Sequence, residues 1–251
     1  MATLKHKLHK SDARISMHIC TIPSAAITQA FAAAGADAVI IDLEHGAVDF
    51  ASAHAMIAAT AGTDCAPIVR IARNEEDHVK RVLDLGAEGI CFPLIKTAGD
   101  ARWAVSSLRY PPDGTRSFGP FLAQSRWQTD MMTYAAEFAD RAICILLIET
   151  IESIENIEEI CAVEGIDMIV PAPFDLSTAF GKPGQFDTPE FKDAITRIEA
   201  TTLAANIPLG GVSLNEEQAQ ALFARGYRAI CGFDALWLRA VGAQSVAWCQ
   251  V

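Results

Sequence analysis

The feature that most constrains the fold is a repeat in which a short, β-branched apolar run is followed by a longer, alanine-rich segment with helical spacing. We find eight such units along the chain. Continuous apolar runs are typical of parallel strands that are buried on both faces. Eight strands without a glycine-rich first turn favour a closed barrel over a doubly wound sheet. We therefore predict an α/β fold, a (β/α)₈ TIM barrel, as a single domain over residues 1–251.

The length of the predicted helices follows from their capping residues and from the Gly-containing units that end them. One long segment, 109–127, is rich in Pro and Gly and is predicted to be an irregular, functional or interface loop. The predicted helices cover 24–34, 49–61, 74–85, 97–108, 153–161, 189–206, 215–225 and a last segment through 241.

The charge and composition of the chain limit the kinds of partner that we expect it to bind. The chain has 251 residues and a net charge of −11, which opposes binding to nucleic acid or anionic lipid. Its apolar runs fall short of the roughly 18–20 residues that span a bilayer, and its polar start does not resemble a signal peptide. Seven scattered cysteines are typical of free thiols in a reducing compartment. We therefore expect a cytoplasmic protein with no membrane or nucleic-acid partner.

Polar residues cluster at the predicted carboxyl ends of the strands, where the active sites of such barrels lie. Because Glu149 and Asp175 offer only oxygen ligands, they predict a site for Mg²⁺ or Mn²⁺, with Co²⁺ as a further option. Arg70 is suited to stabilise developing negative charge, and His45 to move protons. Asp42 and Glu44 are candidates to orient His45 or Arg70 without contacting the metal or the substrate themselves. Each residue also has a structural alternative: a salt bridge for Glu149 or Arg70, a helix cap for Asp175, and a hydrogen-bonded structural role for His45.

Six motifs follow one another in a fixed order along the chain. They are IDLEHG (41–46), PIVR (67–70), VLDLGAEGICFP (82–93), RYPPDGTRSFG (109–119), IETIESIENIEEICAVEGID (148–167) and APFDLSTAFG (172–181). Any one of these motifs alone would be weak, but together they cover nearly the whole chain. In this order the chain resembles the HpcH/HpaI family of metal-dependent 2-keto acid aldolases, which is related to the β subunit of citrate lyase.

The resemblance implies a class II aldolase, a lyase that makes or breaks a carbon–carbon bond through the enolate of pyruvate or hydroxypyruvate. It implies that Glu149 and Asp175 bind the metal, that Arg70 stabilises the enolate and that His45 acts as a water-assisted base. It further implies that Asp84, whose position alone indicates a surface residue, reaches a neighbouring subunit's site to support the histidine. The substrates are a 2-keto acid and an aldehyde, and the expected substrate-binding residues are Arg70, Ala172, Phe174, Asp175 and Val212.

The resemblance also implies a homo-oligomer, a hexamer built as a trimer of dimers, in which the last helix is exchanged between subunits. The apolar final segment, with Leu236, Trp237, Leu238, Val241 and Trp248, agrees with such an assembly. Two departures from the family pattern bear on the substrate. Leu147 stands where many relatives have Gln, and Ala172-Pro173 replaces the usual Gly-Pro.

Three alternatives remain at this point. Lys96 is the best-placed lysine for Schiff-base aldol chemistry. A site of the same composition would also suit oxaloacetate decarboxylation or a condensation like that of macrophomate synthase. The third alternative is a barrel that binds ligands without catalysis.

Overall fold

The computed structural model describes residues 3–10 and 12–250. Its core is one sheet of eight parallel strands, and this confirms the predicted TIM barrel. Helices follow the strands and cover the outer face of the sheet. The strands are β1 (Ile15–Cys20), β2 (Ala38–Asp42), β3 (Ala66–Arg70), β4 (Gly89–Phe92), β5 (Ile143–Ile148), β6 (Met168–Pro171), β7 (Gly210–Val212) and β8 (Ala229–Phe233).

Neighbouring strands pair in chain order from β1 to β6, and β8 pairs with both β1 and β7. The register places Asp42 directly beside Arg70 at the ends of β2 and β3. Closure between β6 and β7 rests on one isolated bridge, Ile169 to Leu209. The barrel is thus continuous except for a weakly paired seam between β6 and β7.

The helices begin where the sequence provides caps. Thr97 forms a capping box with Asp100, and Asn215 accepts the backbone N–H of Gln218. The helices are α1 (Leu4–Leu8), α2 (Ala25–Ala33), α3 (Phe50–Ala58), α4 (Glu76–Asp84), α5 (Ala98–Ser107), α6 (Ala123–Trp127), α7 (Tyr134–Ala139), α8 (Ile151–Glu155), α9 (Ile157–Cys161), α10 (Pro173–Ala179), α11 (Pro189–Ala204), α12 (Glu216–Ala224) and α13 (Asp234–Ala247).

Successive side chains of each strand point alternately into the barrel and toward the helices, and this alternation produces two apolar layers. Side chains such as Met17, Ile68 and Ile145 fill the barrel interior, while their neighbours pack under the helices. Leu4 and Leu8 of α1 join the interior layer. The amino-terminal helix therefore closes one end of the barrel and leaves the carboxyl ends of the strands for a site.

Four local predictions were wrong in detail. Asn74, the first residue of the predicted helix over 74–85, lies before α4, and its side chain donates to the carbonyl of Pro93. The predicted helix over 153–161 is two short helices that meet at Asn156. The segment 109–127 ends in α6, and α10, which begins at Pro173, lies between the predicted helices 153–161 and 189–206, where no helix was predicted.

The last helix leaves the body of the barrel. Every described residue from Leu238 to Gln250 is exposed, including Val241 and Trp248. Trp237 is partly buried and packs against Gly232 and the ring of His18. Within residues 3–10 and 12–250, no helix has the length and apolar character needed to cross a bilayer.

Candidate active site

Arg70 is fixed by Asp42 at the mouth of the barrel. Its Nε donates to Asp42 Oδ1 over 2.8 Å, and its Nη2 donates to Oδ2 of the same carboxylate. Asp42 is fully buried and also accepts the backbone N–H groups of Glu44 and His45. One carboxylate therefore orients the guanidinium and shapes the turn after β2.

Glu44 lies on the other side of the same guanidinium, with its Oε2 3.4 Å from Arg70 Nε. This oxygen is buried and has no hydrogen-bond partner among the described residues. Burial raises the pKa of Glu44, against the attraction of Arg70. The negative charge of Asp175 raises the pKa of Glu44 further, because the two carboxylates lie near each other at the mouth of the barrel.

Glu149 follows the last residue of β5 and is only 5% exposed. Burial raises its pKa to about 7, even though the Leu94 backbone N–H donates to its Oε1 and lowers the pKa. The negative charges of Asp175 and Glu44 contribute to the rise. The negative charges of Glu44, Glu149 and Asp175 therefore act on one another, and the Arg70 guanidinium near them is already paired with Asp42.

This donor set fits a divalent cation. Carboxylate oxygens are the preferred ligands of Mg²⁺ and Mn²⁺, and a cation would offset the repulsion among Glu44, Glu149 and Asp175. Glu149, at the end of β5, and Asp175, in the first turn of α10 after the adjacent strand β6, could hold the ion together. The orphaned Oε2 of Glu44 indicates that a further polar partner belongs in the same region.

Asp175 is the third residue of α10 and is exposed. Because Leu176 makes the first backbone hydrogen bond of this helix, to Ala172, the N–H groups of Phe174 and Asp175 have no acceptor within it. Those two donors can receive a carboxylate at the barrel mouth. The helix capping role considered for the Asp175 side chain is not observed, since α10 has no side-chain cap.

The five expected substrate-binding residues surround one cavity at the mouth of the barrel. Most of its remaining lining is apolar and comes from inward-facing strand residues, among them Leu147. Leu147 is nearly buried, so its departure from the family pattern makes this wall apolar. The five residues are Arg70, Ala172, Phe174, Asp175 and Val212.

His45 and Asp84 lie outside this cavity. The side chain of His45 is 64% exposed at the rim, and its Nε2 is 3.8 Å from Glu44 Oε2. Asp84 ends α4, at the opposite end of the barrel, where its Oδ1 accepts from Arg116 Nη2 over 2.9 Å. A single chain therefore does not bring Asp84 near His45.

Lys96 is exposed and pairs with Glu152 at 3.4 Å. It does not line the cavity, so its position gives no support to Schiff-base chemistry. Of the described residues, only Glu75, Asp77 and His78 form a group of three with metal-ligand spacing. That group lies on the surface at the start of α4, away from the predicted ligands, and its acidic members are exposed.

Sequence reasoning missed the backbone N–H of Leu94, which contacts Glu149. Only polar side chains at strand ends were considered, and a backbone donor has no side-chain signature. The clue available in the sequence was Pro93, which follows β4 directly and marks the start of the turn that carries Leu94.

The family model for the HpcH/HpaI aldolase/citrate lyase family matches residues 16–239. The chain belongs to this family. It is therefore an enzyme of the carbon–carbon lyase class, in a family of metal-dependent aldolases, and a binding barrel without catalysis is set aside.

Two curated relatives agree with this assignment. A 2-dehydro-3,6-dideoxy-6-sulfogluconate aldolase of Pseudomonas putida is 35% identical over 204 residues, which cover 81% of this chain and 80% of the relative. A hydroxypyruvate/pyruvate aldolase of Roseovarius nubinhibens is 36% identical over 184 residues, 72% of each chain.

Solved structures show the same fold over the full length. A family protein from Burkholderia cenocepacia superposes with a TM-score of 0.91 at 27% identity and covers 99% of both chains. Macrophomate synthase superposes with a TM-score of 0.89 at 27% identity and covers 99% of this chain and 89% of its own.

Proposed function

We propose that this aldolase adds pyruvate or hydroxypyruvate to an aldehyde and cleaves the resulting 4-hydroxy-2-keto acid, with Glu149 and Asp175 holding Mg²⁺, Mn²⁺ or Co²⁺. The observation that supports it most is the cluster of carboxylates beside a fixed Arg70 at the mouth of an apolar cavity. The relatives named as pyruvate and hydroxypyruvate aldolases supply the substrate class.

Each residue of the site has a role that its position supports. The free N–H groups of Phe174 and Asp175 hold the keto-acid carboxylate. Arg70, locked by Asp42, faces the oxygen on which negative charge develops when the enolate forms. A divalent ion, when bound, would polarise the keto group as a Lewis acid.

His45 serves as the proton acceptor. Because its ring is at the exposed rim, it takes the proton through a water molecule, either from the methyl group during addition or from the aldol hydroxyl during cleavage. Glu44, which lies near both His45 and Arg70, keeps the imidazole turned toward the site. Ala172 and Val212 form the apolar walls that exclude bulk water.

A second candidate activity is oxaloacetate decarboxylation or condensation, which passes through the same enolate. The similarity to macrophomate synthase favours keeping it. The experiment is to incubate the purified protein with pyruvate, hydroxypyruvate or oxaloacetate, each with a panel of aldehydes, under added Mg²⁺, Mn²⁺, Co²⁺ or chelator, and to identify products by mass spectrometry. Metal-dependent aldol products support the first activity, and release of CO₂ from oxaloacetate without any aldol product would favour the second.

We also propose that the protein is a homo-oligomer, a hexamer arranged as a trimer of dimers, in which α13 is exchanged. The exposed apolar side chains of α13 support this assembly, because burying them against a neighbouring subunit would remove apolar surface from water. A groove on the outer face of β1 and β8, lined by Arg14, Phe223 and Gly232, offers a seat for a partner's helix. In such an assembly Asp84 would reach the neighbouring site. The six buried free thiols support a reducing, cytoplasmic location.

A further inference from the structure

A second cavity lies beside the candidate active site. It occupies the space between the outer face of β6 and β7 and the helices α10, α11 and α12. Its lining shares Pro173, Phe174 and Val212 with the cavity that holds Arg70. The two cavities are therefore neighbours across the rim of the barrel, separated by residues that the substrate itself would touch.

The short strand β7 contributes backbone rather than a bulky side chain to the lining of this second cavity. Gly211 faces outward from β7, where a strand residue of a barrel usually fills the layer under the helices. A Cβ atom at Gly211 would lie 2.8 Å from the ring of Tyr227, so the short strand packs directly on that ring. No larger residue fits there without displacing Tyr227, and the space above it remains open.

Aromatic rings form one wall of the cavity. Phe174 and Phe186 meet edge to face with their centroids 5.4 Å apart, and Phe186 lies 5.4 Å from Phe191. Phe174 is 44% exposed and Phe186 is 38% exposed. These rings present apolar surface that nothing in the described chain covers, which is characteristic of a ligand site.

The polar groups in the lining are already engaged. Arg225, the only charged residue of the lining, pairs with Glu199, which also accepts from the Tyr227 hydroxyl over 2.7 Å. The amide oxygen of Gln218 accepts the backbone N–H of Leu214. Within this part of the described chain, no free cation remains for a carboxylate, sulfonate or phosphate tail.

We propose that this cavity binds the hydrocarbon tail of the aldehyde acceptor, so that the enzyme prefers unbranched alkyl or aryl aldehydes to charged ones. The proposal rests on the proposed aldolase activity and names its acceptor class. In the addition, C3 of pyruvate bonds to the aldehyde carbon, the methyl proton leaves to the base, and the aldehyde oxygen gains a proton to become the hydroxyl. The tail takes no part in bond changes and extends past Phe174 and Val212 into the second cavity.

The test measures kcat/KM for addition of pyruvate to a series from propanal to hexanal, with succinic semialdehyde as the charged comparison. If each methylene is buried, kcat/KM rises roughly fourfold per carbon. Succinic semialdehyde should fall below pentanal, because its carboxylate would lose water without gaining a partner.

Two variants on one helix locate the effect. Ala221 lines the cavity and is exposed, so Ala221→Phe fills the space and should reduce the hexanal-to-propanal ratio to roughly twofold or less. Ala224 is exposed on the same helix outside the cavity, so Ala224→Phe should keep the wild-type ratio. Thermal melting verifies that both variants fold. Leu214→Asp, at an exposed position of the lining, provides a second variant that should lower the same ratio by adding charge.

Exchange of the pyruvate methyl protons in D₂O separates this proposal from the aldolase activity, because exchange needs no aldehyde. If the methyl protons exchange but kcat/KM does not change with aldehyde chain length, the acceptor proposal alone is wrong. No exchange and no aldol product with any metal overturns the proposed function. If Ala221→Phe changes the oligomeric mass and leaves the ratio unchanged, the cavity is an interface between copies of the chain and the proposal is wrong.

Discussion

The guanidinium of Arg70 and the carboxylate of Asp42 meet through two hydrogen bonds at the ends of adjacent strands, one of them 2.8 Å from Nε to Oδ1. A planar fork held at two points cannot rotate away from the cavity. The same carboxylate receives the backbone of the turn that carries His45. Asp42 therefore fixes both the Arg70 guanidinium and the backbone of His45, the two residues to which we assign charge stabilisation and proton transfer.

We expect Asp42→Asn to lower stability and activity together. Removing one partner of a buried pair leaves the Arg70 charge without compensation, at a cost of roughly 3–5 kcal/mol. Chemical denaturation at constant pH measures the loss. Asp187→Asn, at a fully exposed site, is the matched control and should leave the unfolding curve unchanged. A stable and fully active Asp42→Asn would contradict the role given to the pair.

Arg70 and His45 should separate when two reactions are compared. Arg70→Ala should lose roughly 10²–10³-fold in both aldol cleavage and oxaloacetate decarboxylation, because enolate charge develops in both. His45→Ala should lose roughly 10²–10⁴-fold in the aldol reaction and keep much of the decarboxylation, which forms the enolate by losing CO₂. Steady-state assays at saturating metal measure all four values. Equal losses for His45→Ala in the two reactions would withdraw its role as the base.

Activity should depend on a divalent ion and not on a lysine. Exhaustive EDTA treatment should abolish turnover, and added Mg²⁺ or Mn²⁺ should restore it. Lys96→Ala should remain active, since this lysine pairs with Glu152 outside the cavity. Activity that persists in chelator, together with a borohydride-trapped pyruvate adduct on Lys96, would instead support Schiff-base chemistry.

The exposed face of α13 should control assembly. Light scattering at micromolar concentration should give a mass several times that of the 27.0 kDa chain. Leu238→Asp, on the exposed apolar face, should shift the protein to smaller species, because a charge would have to be buried in the interface. Gln244→Glu is the control on the same helix. A monomeric wild type would refute the exchanged helix.

Glu88 should make stability fall as pH rises. Burial raises its pKa from 4.5 to about 7, against the attraction of Arg141. Between these two pKa values the folded state binds the Glu88 proton more tightly than the unfolded state does. Protonated Glu88 therefore contributes fully to the free energy of unfolding below pH 4.5, and this contribution is lost by about pH 7. Glu88→Gln should therefore gain up to roughly 3 kcal/mol over wild type above pH 7 and nothing below pH 4.5.

Denaturation of the wild type and of Glu88→Gln at pH 4.5 and pH 8 measures this difference. Glu164→Gln, at an exposed position, is the control. Parallel pH profiles for Glu88→Gln and wild type would show that the carboxylate is solvated in both states.

Most of the fold followed from the sequence because strand burial and helix periodicity are local patterns. The strand-end rule also selected Arg70, Glu149 and Asp175. Local patterns did not predict α10, because its first residue, Pro173, is typical of turns and is also favoured in the first turn of a helix. The strand-end rule could not give the position of the His45 ring, which lies at the exposed rim 3.8 Å from Glu44 Oε2.

Contacts beyond the single chain were outside the reach of local patterns. The role proposed for Asp84 requires a neighbouring subunit, and within the described chain its carboxylate accepts a hydrogen bond from Arg116. The second cavity also had no sequence signature, since its lining brings together rings and apolar side chains from segments that are distant in the chain.

The strands of the barrel are not joined equally, because β6 and β7 are connected only by the bridge between Ile169 and Leu209 among the described residues. On the arc through β2 and β3, complete ladders hold Asp42 and Arg70 in fixed register. On the opposite arc, the joint between β6 and β7 carries one bridge and passes beside both cavities. We therefore expect a bulkier acceptor in these cavities to part β6 from β7, while the ladders through β2 and β3 keep Asp42 and Arg70 in place.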